Sequence, residues 1–400
     1  MNPTRQRIAR AALTWVEVDT SALLSNLHAF RRRLGPGVEL AHVVKSNAYG
    51  HGLELVAAED AASGIVHRLA VISVDELLRV RAIGVRLPVL VMGYVPTGAW
   101  ASVVDAEGSP VVFNRESLEA LSRAASERGR EVAVHLKVET GTHRYGIPEA
   151  ELLDYLGLVR SLPGLRLEGM TTHFANIEDT TDHSYAQEQL DRFRRAVEQA
   201  REAGFELPVP HAACSAAAIL FPESSFAMAR VGISSYGIWP SKETRVSSRH
   251  VEGAQMDLRP ALSWKTRVAQ VKTVSAGSYI GYGCSWKAPA ETRIAVLPIG
   301  YADGYDRGLS NVGHVLIHGR RAPVRGRICM NVTMVDVTHH PEVALEDEVV
   351  LIGRQGEEEI RAEDLASWCG TIAYEIVSRI GSHVPRVRGQ GEGPANASHL

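Results

Sequence analysis

VELAHVVKSNAYGHG, residues Val38–Gly52, reads as a β-strand that ends on a lysine and opens into a small, polar, Gly-rich loop. Side chains alternate along a strand, so Ala41, Val43 and Lys45 share one face. As the first strand of a parallel barrel, it would place Lys45 at its C-terminal end, where such barrels build their active sites. Partial desolvation there lowers an ammonium pKa and frees a neutral amine for Schiff-base chemistry. A strand-end lysine by itself more often just snorkels to water. The loop that follows can fold closely round a ligand, and this shifts the balance.

Outward from this stretch, further β-rich runs fall at Leu69–Val74, Pro88–Met92, Pro110–Asn114, Val132–Glu139, Leu165–His173, Val209–Ser215 and Met228–Tyr236. Helical patterns lie between most of them. Leu23, Leu27, Phe30 and Leu34 recur at three- and four-residue steps behind a cap at Asp19 or Thr20. Ala186, Leu190, Phe193, Val197 and Ala200 repeat the pattern with charges opposite. Strands alternating with helices in this way predict an α/β fold, a (β/α)8 TIM-type barrel over residues 14–250. An open doubly wound sheet is the alternative, but no G-x-G-x-x-G follows an early strand. Beyond residue 250 the texture turns mainly β, in Ser263–Val274, Thr292–Ile299, His314–His318, Ala322–Thr338 and Glu348–Ile352. Short helical patterns return at Ala362–Trp368 and Ile372–Ile380. A C-terminal, mainly β domain is predicted over 251–386, with residues 1–13 packed on it, a polar linker at Glu243–Pro260, and a disordered tail at 387–400.

Composition bounds the function. Of 400 residues, 43 are Lys or Arg and 46 Asp or Glu, a net charge of -3, so the basic excess that nucleic-acid binding needs is absent. The four cysteines show no C-x-x-C pairing and read as thiols in a reducing compartment. No apolar run reaches the length of a membrane span, and the N-terminus lacks a signal-peptide core. A cytoplasmic enzyme acting on a small molecule is expected, with no metal at its site.

The motif VVKSNAYGHG resembles the pyridoxal-phosphate lysine motif of the alanine racemases. The likeness continues in order along the chain: HLKVETGTHRYG with Lys137 and Arg144, GMTTHFAN with His173, HAACSAAA with Ser215, and ARVGISSYGI with Arg230. It extends through GYGCSW with Tyr282, PIGYADGYDR with Tyr301 and Arg307, VRGRICMN with Arg327 and Met330, and AYEIVSRI with Tyr374. The resemblance implies a pyridoxal 5'-phosphate enzyme that interconverts L- and D-alanine and supplies D-alanine for peptidoglycan.

It also implies roles. Lys45 would carry the cofactor and serve the D-face of the α-carbon, with Tyr282 serving the L-face. A tyrosine with an ordinary pKa near ~10 is a poor base; the family lowers it through neighbours matching His173 and Arg230. Arg230 stands where many such enzymes put a carboxylate, and a permanent cation there weakens the electron sink and favours reprotonation. Ser215, Gly232, Ile233, Tyr49 and Tyr374 would hold the phosphate. Phosphate sites recur at the loops after the last barrel strands. Arg144 would hold the substrate carboxylate or the cofactor ring oxygen, and the Met330 amide would be a second contact to the carboxylate. Lys137, carbamylated in the family, would orient Arg144; Tyr374 and Tyr301 would crowd the entrance and favour a methyl side chain, with Arg307 and Arg327 in supporting parts. A homodimer with shared active sites is implied. Each residue has a plainer reading: a cap for Ser215, a core aromatic for Tyr374, a turn aromatic for Tyr282, an ordinary ion pair for Arg230. Cys214 and Asn331 depart from the usual asparagine and aspartate. A broader amino-acid racemase, a decarboxylase with the same domain plan, and a pyridoxal-phosphate carrier are the competing readings.

Overall fold

The computed structural model describes residues 11–389. Most of the expected tail and of the segment expected to pack on the β domain lie outside the described residues. The chain divides into two compact units. The first comprises Leu23–Ala48 and Leu53–Arg259; the second holds the described residues up to Ala22, Tyr49–Gly52, and those from Pro260 on.

Taking the strands in chain order, β1 is Thr14–Val18, β2 Glu39–Val43, β3 Arg68–Val71, β4 Val89–Val91, β5 Gly108–Val112, β6 Val132–Lys137, β7 Leu165–Thr171 and β8 Met228–Val231. In the first unit, parallel pairing runs β7-β6-β5-β4-β3-β2-β8. Residues 209–213 fill the remaining gap. His211 N–H donates to Met170 O and Val209 N–H to Glu168 O on the β7 side, while Arg230 N–H donates to Ala213 O on the β8 side. This closes the barrel of an α/β fold. Close approach here requires Gly169, because a Cβ on it would lie 2.0 Å from Val209 O and 2.7 Å from His135 Nδ1. The interior is aliphatic, as a strand buried on both faces requires: Leu40, Leu69, Leu90, Val134 and Leu136 are fully buried. Outside, Thr20–Leu34 buries Leu23, Leu27 and Phe30, and Ser184–Glu202 buries Leu190, Phe193 and Val197.

The second unit is mainly β. Its strands continue as β9 (Leu262–Arg267), β10 (Gln270–Val274), β11 (Thr292–Leu297), β12 (His314–Ile317), β13 (Arg320–Pro323), β14 (Thr333–Asp336), β15 (Glu348–Gln355), β16 (Glu358–Ile360) and β17 (Arg386–Arg388). One sheet runs β13-β12-β15-β9-β1-β17, with β16 paired to β15; a smaller one runs β10-β11-β14. Trp264 is fully buried, its indole N–H donating to Thr14 Oγ1 at 3.0 Å.

Two expectations change. Thr14–Val18 was expected within the barrel but pairs with β9 and β17 of the second unit, Val16 lying opposite Trp264 and Arg386. A strand's own pattern does not name its partner. The expected linker holds a helix, Lys242–Ser247, capped by Ser241 Oγ accepting from Thr244 N–H at 2.9 Å; the first unit extends to Arg259.

Candidate active site

Strand β2 stops at Val43, two residues before Lys45. Ser46, Asn47, Ala48 and Tyr49 then all take left-handed backbone, with φ between 50° and 56°. Such a turn costs about 1–2 kcal/mol per non-glycine residue, so surrounding bonds must hold it. Glu76 Oε1 accepts from Ser46 N–H at 2.6 Å, and Asn47 Oδ1 accepts from Leu53 N–H at 3.0 Å and Arg79 Nη2 at 3.2 Å. Lys45 is half-buried. Burial, then Arg144, pulls its ammonium below the ordinary lysine value; Glu76 opposes and Arg230 adds.

On the end of β6, Lys137 is pulled down to about 8 by burial, then by Arg144 and Arg230. Its ammonium lies 5.9 Å from the Tyr145 ring centre. Arg144 is presented by a loop wrapped round the Glu139 carboxylate, whose oxygens accept from the amides of Gly141 and Thr142 at 2.6 Å and of Arg144 at 3.3 Å. These amides outweigh burial and hold the Glu139 pKa down. Burial, followed by the charges of Arg230, Lys137, Arg144 and Lys45, drives the His173 pKa well below the imidazole range. The barrel unit therefore gathers Lys45, Lys137, Arg144 and Arg230 into one cationic cluster beside a neutral His173, a setting that receives an anion.

Arg230, on β8, is buried. Its Nη1 donates to Thr171 Oγ1 at 2.9 Å and to His211 Nδ1, and Nη2 donates to Thr172 O and Ala212 O, each at 2.9 Å. The four Nη hydrogens are thus committed, leaving Nε–H as the donor without a protein acceptor among the described residues. Burial lowers the guanidinium pKa to about 10, still a cation at neutral pH. Because His211 Nδ1 accepts, its proton sits on Nε2, which donates to His135 Nδ1 at 3.1 Å; His135 Nε2 donates to Glu168 Oε2 at 2.8 Å. Glu168 also accepts from Arg68 at 2.8 Å. Every hydrogen bond in this line points the same way, which fixes both histidine tautomers. The sequence offered His173 and Arg230 as neighbours of Tyr282 and did not identify the partners of Arg230 itself, His211, His135, Glu168 and Arg68. Polar residues at alternate positions of apolar strands, His135 beside Lys137 and His211 beside Ser215, were the available signal.

Ser215 opens the helix Ser215–Leu220 with Cys214 at the cap position, and its Oγ accepts from Gly232 N–H at 2.9 Å. The amides of Ile233 and Ser234, and Ser234 Oγ, belong to fully buried residues yet have no acceptor or donor partner among the described residues. Buried orphans of this kind are costly unless a ligand satisfies them. Burial pushes the neighbouring Cys214 thiol up to about 12, so it stays protonated.

Within the second unit, Tyr49 and Tyr374 pack with ring centres 6.1 Å apart. A cleft of about 530 Å³ brings together Tyr282, Tyr301, Arg307, Arg327, Met330 and Asn331. Glycine at 283 makes room, since a Cβ there would lie 2.8 Å from the Arg327 guanidinium. Tyr282 is 74% exposed and Met330 56%. No group of His, Cys, Asp and Glu able to hold a metal occurs among the described residues, and no described helix is long and apolar enough to cross a membrane.

Fold and site together define an enzyme of the barrel-plus-β-domain class, with an amine among cations on one unit and a tyrosine-lined cleft on the other. Sequence profiles for the alanine racemase N-terminal and C-terminal domains match residues 18–240 and 261–388. An alanine racemase of Desulfovibrio desulfuricans is 41% identical over 93% of this chain and 97% of its own length, and one of Halothermothrix orenii is 40% identical over 95% and 97%. The solved alanine racemase of Streptomyces lavendulae superposes with a TM-score of 0.87 at 34% identity, covering 95% of this chain and 98% of that one. That of Bacillus anthracis, with bound L-Ala-P, gives 0.87 at 35%, covering 95% of each. The chain belongs to the alanine racemase family. Its activity is the interconversion of L- and D-alanine.

Proposed function

We propose that this racemase works with pyridoxal 5'-phosphate, carried by Lys45, and that Lys45 and Tyr282 handle the proton on opposite faces of the substrate α-carbon. The carrying observation is the fit of the barrel to such a group. Unpartnered amides at Ile233 and Ser234 lie beside Ser215, the Nε–H of Arg230 is free to donate, and the Lys45 amine is held below its usual pKa. When bound, the cofactor supplies an electron-withdrawing ring that acidifies the α-hydrogen of an attached amino acid.

The chain's own residues do the rest. Ser215, the Ile233 amide, Tyr49 and Tyr374 hold the phosphate, while Gly232, whose N–H goes to Ser215 Oγ, lets the backbone come close to it. Arg230, kept cationic, faces the ring nitrogen and limits electron withdrawal, favouring return of the proton to carbon. Arg144 and the Met330 amide hold the substrate carboxylate, a charge-assisted contact in the case of Arg144. Lys137, whose depressed pKa gives a sizeable neutral amine fraction at neutral pH, is suited to carbamylation and to orienting Arg144. Tyr301, Arg307 and Arg327 shape the entrance beside Tyr282. The exposure of Tyr282 and Met330 favours a homodimer in which the cleft of one chain completes the barrel mouth of its partner. The product would supply D-alanine for peptidoglycan in the cytoplasm.

Purified protein should be yellow, and borohydride reduction should fix the cofactor on the Lys45 peptide. An adduct on another lysine, with Lys45→Ala still racemising, overturns the assignment. Tyr282→Phe should lose most α-hydrogen exchange from L-alanine in deuterated water, while exchange from D-alanine survives better. Equal loss from both enantiomers rejects the division of faces.

A further inference from the structure

Ser235, His42 and Asp60 are fully buried in the barrel unit and form a continuous line. Ser235 Oγ lies 2.6 Å from His42 Nε2, and His42 Nδ1 lies 2.7 Å from Asp60 Oδ2. The order resembles that of a hydrolase triad, but no substrate reaches these atoms, and the serine hydroxyl is already committed. It donates to Gly232 O at 2.6 Å, and the same carbonyl accepts from Ser235 N–H at 2.9 Å.

That carbonyl belongs to the peptide joining Gly232 to Ile233. A trans peptide is planar, with C=O and N–H pointing to opposite sides. Pinning Gly232 O toward Ser235 therefore turns the Ile233 N–H the other way, and this is one of the amides without a protein acceptor. The pin is rigid because each member is held by the next. His42 fixes the hydroxyl of Ser235, and Asp60, on the helix Leu53–Ser63, fixes the ring of His42. His42 also sits on β2, three residues before Lys45. Tyr236, the end of the same loop, adds a second tie to this strand, donating from its hydroxyl to Val43 O at 2.9 Å. The phosphate loop and the lysine strand are thus locked in register through buried hydrogen bonds, which resist displacement more than exposed ones do.

We infer that Ser235, His42 and Asp60 are positioning residues that aim the Ile233 amide at the cofactor phosphate and fix its separation from Lys45. The inference rests on the pyridoxal-phosphate reading above. Its test compares two ligands that differ in the phosphate alone. Apoprotein of wild type, Ser235→Ala and Asp60→Asn is titrated with pyridoxal phosphate and with pyridoxal, following absorbance. Both variants should bind pyridoxal phosphate about tenfold more weakly, as loss of one well-aimed phosphate contact would give, and bind pyridoxal within about twofold of wild type. Unchanged affinity for pyridoxal phosphate, or equal weakening for both ligands, overturns the inference. Wild type that binds neither ligand instead overturns the cofactor reading. Should the variants not fold, wild-type apoprotein labelled with 15N-isoleucine decides. Inorganic phosphate should move the Ile233 amide proton downfield, and an unresponsive Ile233 amide rejects the proposal.

Discussion

Glu168 shows how a residue remote from the reaction affects a buried cation. Burial alone would raise its carboxyl pKa, but hydrogen bonds from His135 and Arg68 outweigh it and bring the value down to about 2. The folded-state pKa is below the unfolded one, so the stabilisation is fully present above about pH 4.5 and is lost as pH falls toward 2. A drop of that size corresponds to roughly 3 kcal/mol shared with its partners. Glu168→Gln should therefore lower stability by about 2–3 kcal/mol at pH 7, and the gap from wild type should shrink as pH falls from 4.5. Denaturant melts at pH 7 and pH 3 check this. Through His135 and His211, whose pKa values burial lowers from the ordinary imidazole value, the same change should loosen the seat of Arg230.

At the scale of elements, the four residues Tyr49–Gly52 belong with the second unit, and Arg386 on β17 holds them there. Its guanidinium donates to Gly50 O at 2.9 Å, Ile380 O at 2.9 Å, Gly381 O at 2.5 Å and Val384 O at 2.6 Å. Gly50, with φ of 82°, comes so close that a Cβ would lie 1.9 Å from Val377 O. The clasp keeps Tyr49 beside Tyr374. Arg386→Met strands four carbonyls and should cost about 3 kcal/mol or more. Arg386→Lys should recover only part of this, since a point charge cannot reach the same fork of acceptors. Chemical denaturation of the three proteins tests the order wild type, Lys, Met; a lysine variant as stable as wild type would refute the clasp.

For the whole molecule, the question is which chain completes which site. With Lys45 on the barrel unit and Tyr282 exposed on the β unit, a shared dimer site predicts complementation. Lys45→Ala and Tyr282→Ala homodimers should each be nearly inactive. In a mixed dimer one site carries both defects and the other carries none. Random equal mixing makes about half of the dimers mixed, so activity should recover to roughly a quarter of wild type. Verified subunit exchange without recovery rejects the shared site and leaves the racemase activity standing.

Alternating strand and helix periods made the barrel legible, because periodicity is local and each element carries its own. Lys45 stood out too, as a lysine at the end of an apolar strand before SNAYGHG, and the tyrosines and arginines of the β unit stood in short contiguous motifs. The sheet of Thr14–Val18 was not, because pairing is decided by a partner some 250 residues away, at Trp264. Nor was the line from Arg230 through His211 and His135 to Glu168, or the one from Ser235 through His42 to Asp60. These residues sit on different strands, loops and helices, and nothing in any one segment encodes the others. Sequence by itself determined which elements form and which reactive side chains they carry; only tertiary closure decided which buried polar groups meet, because a hydrogen bond depends on distance in space and not along the chain.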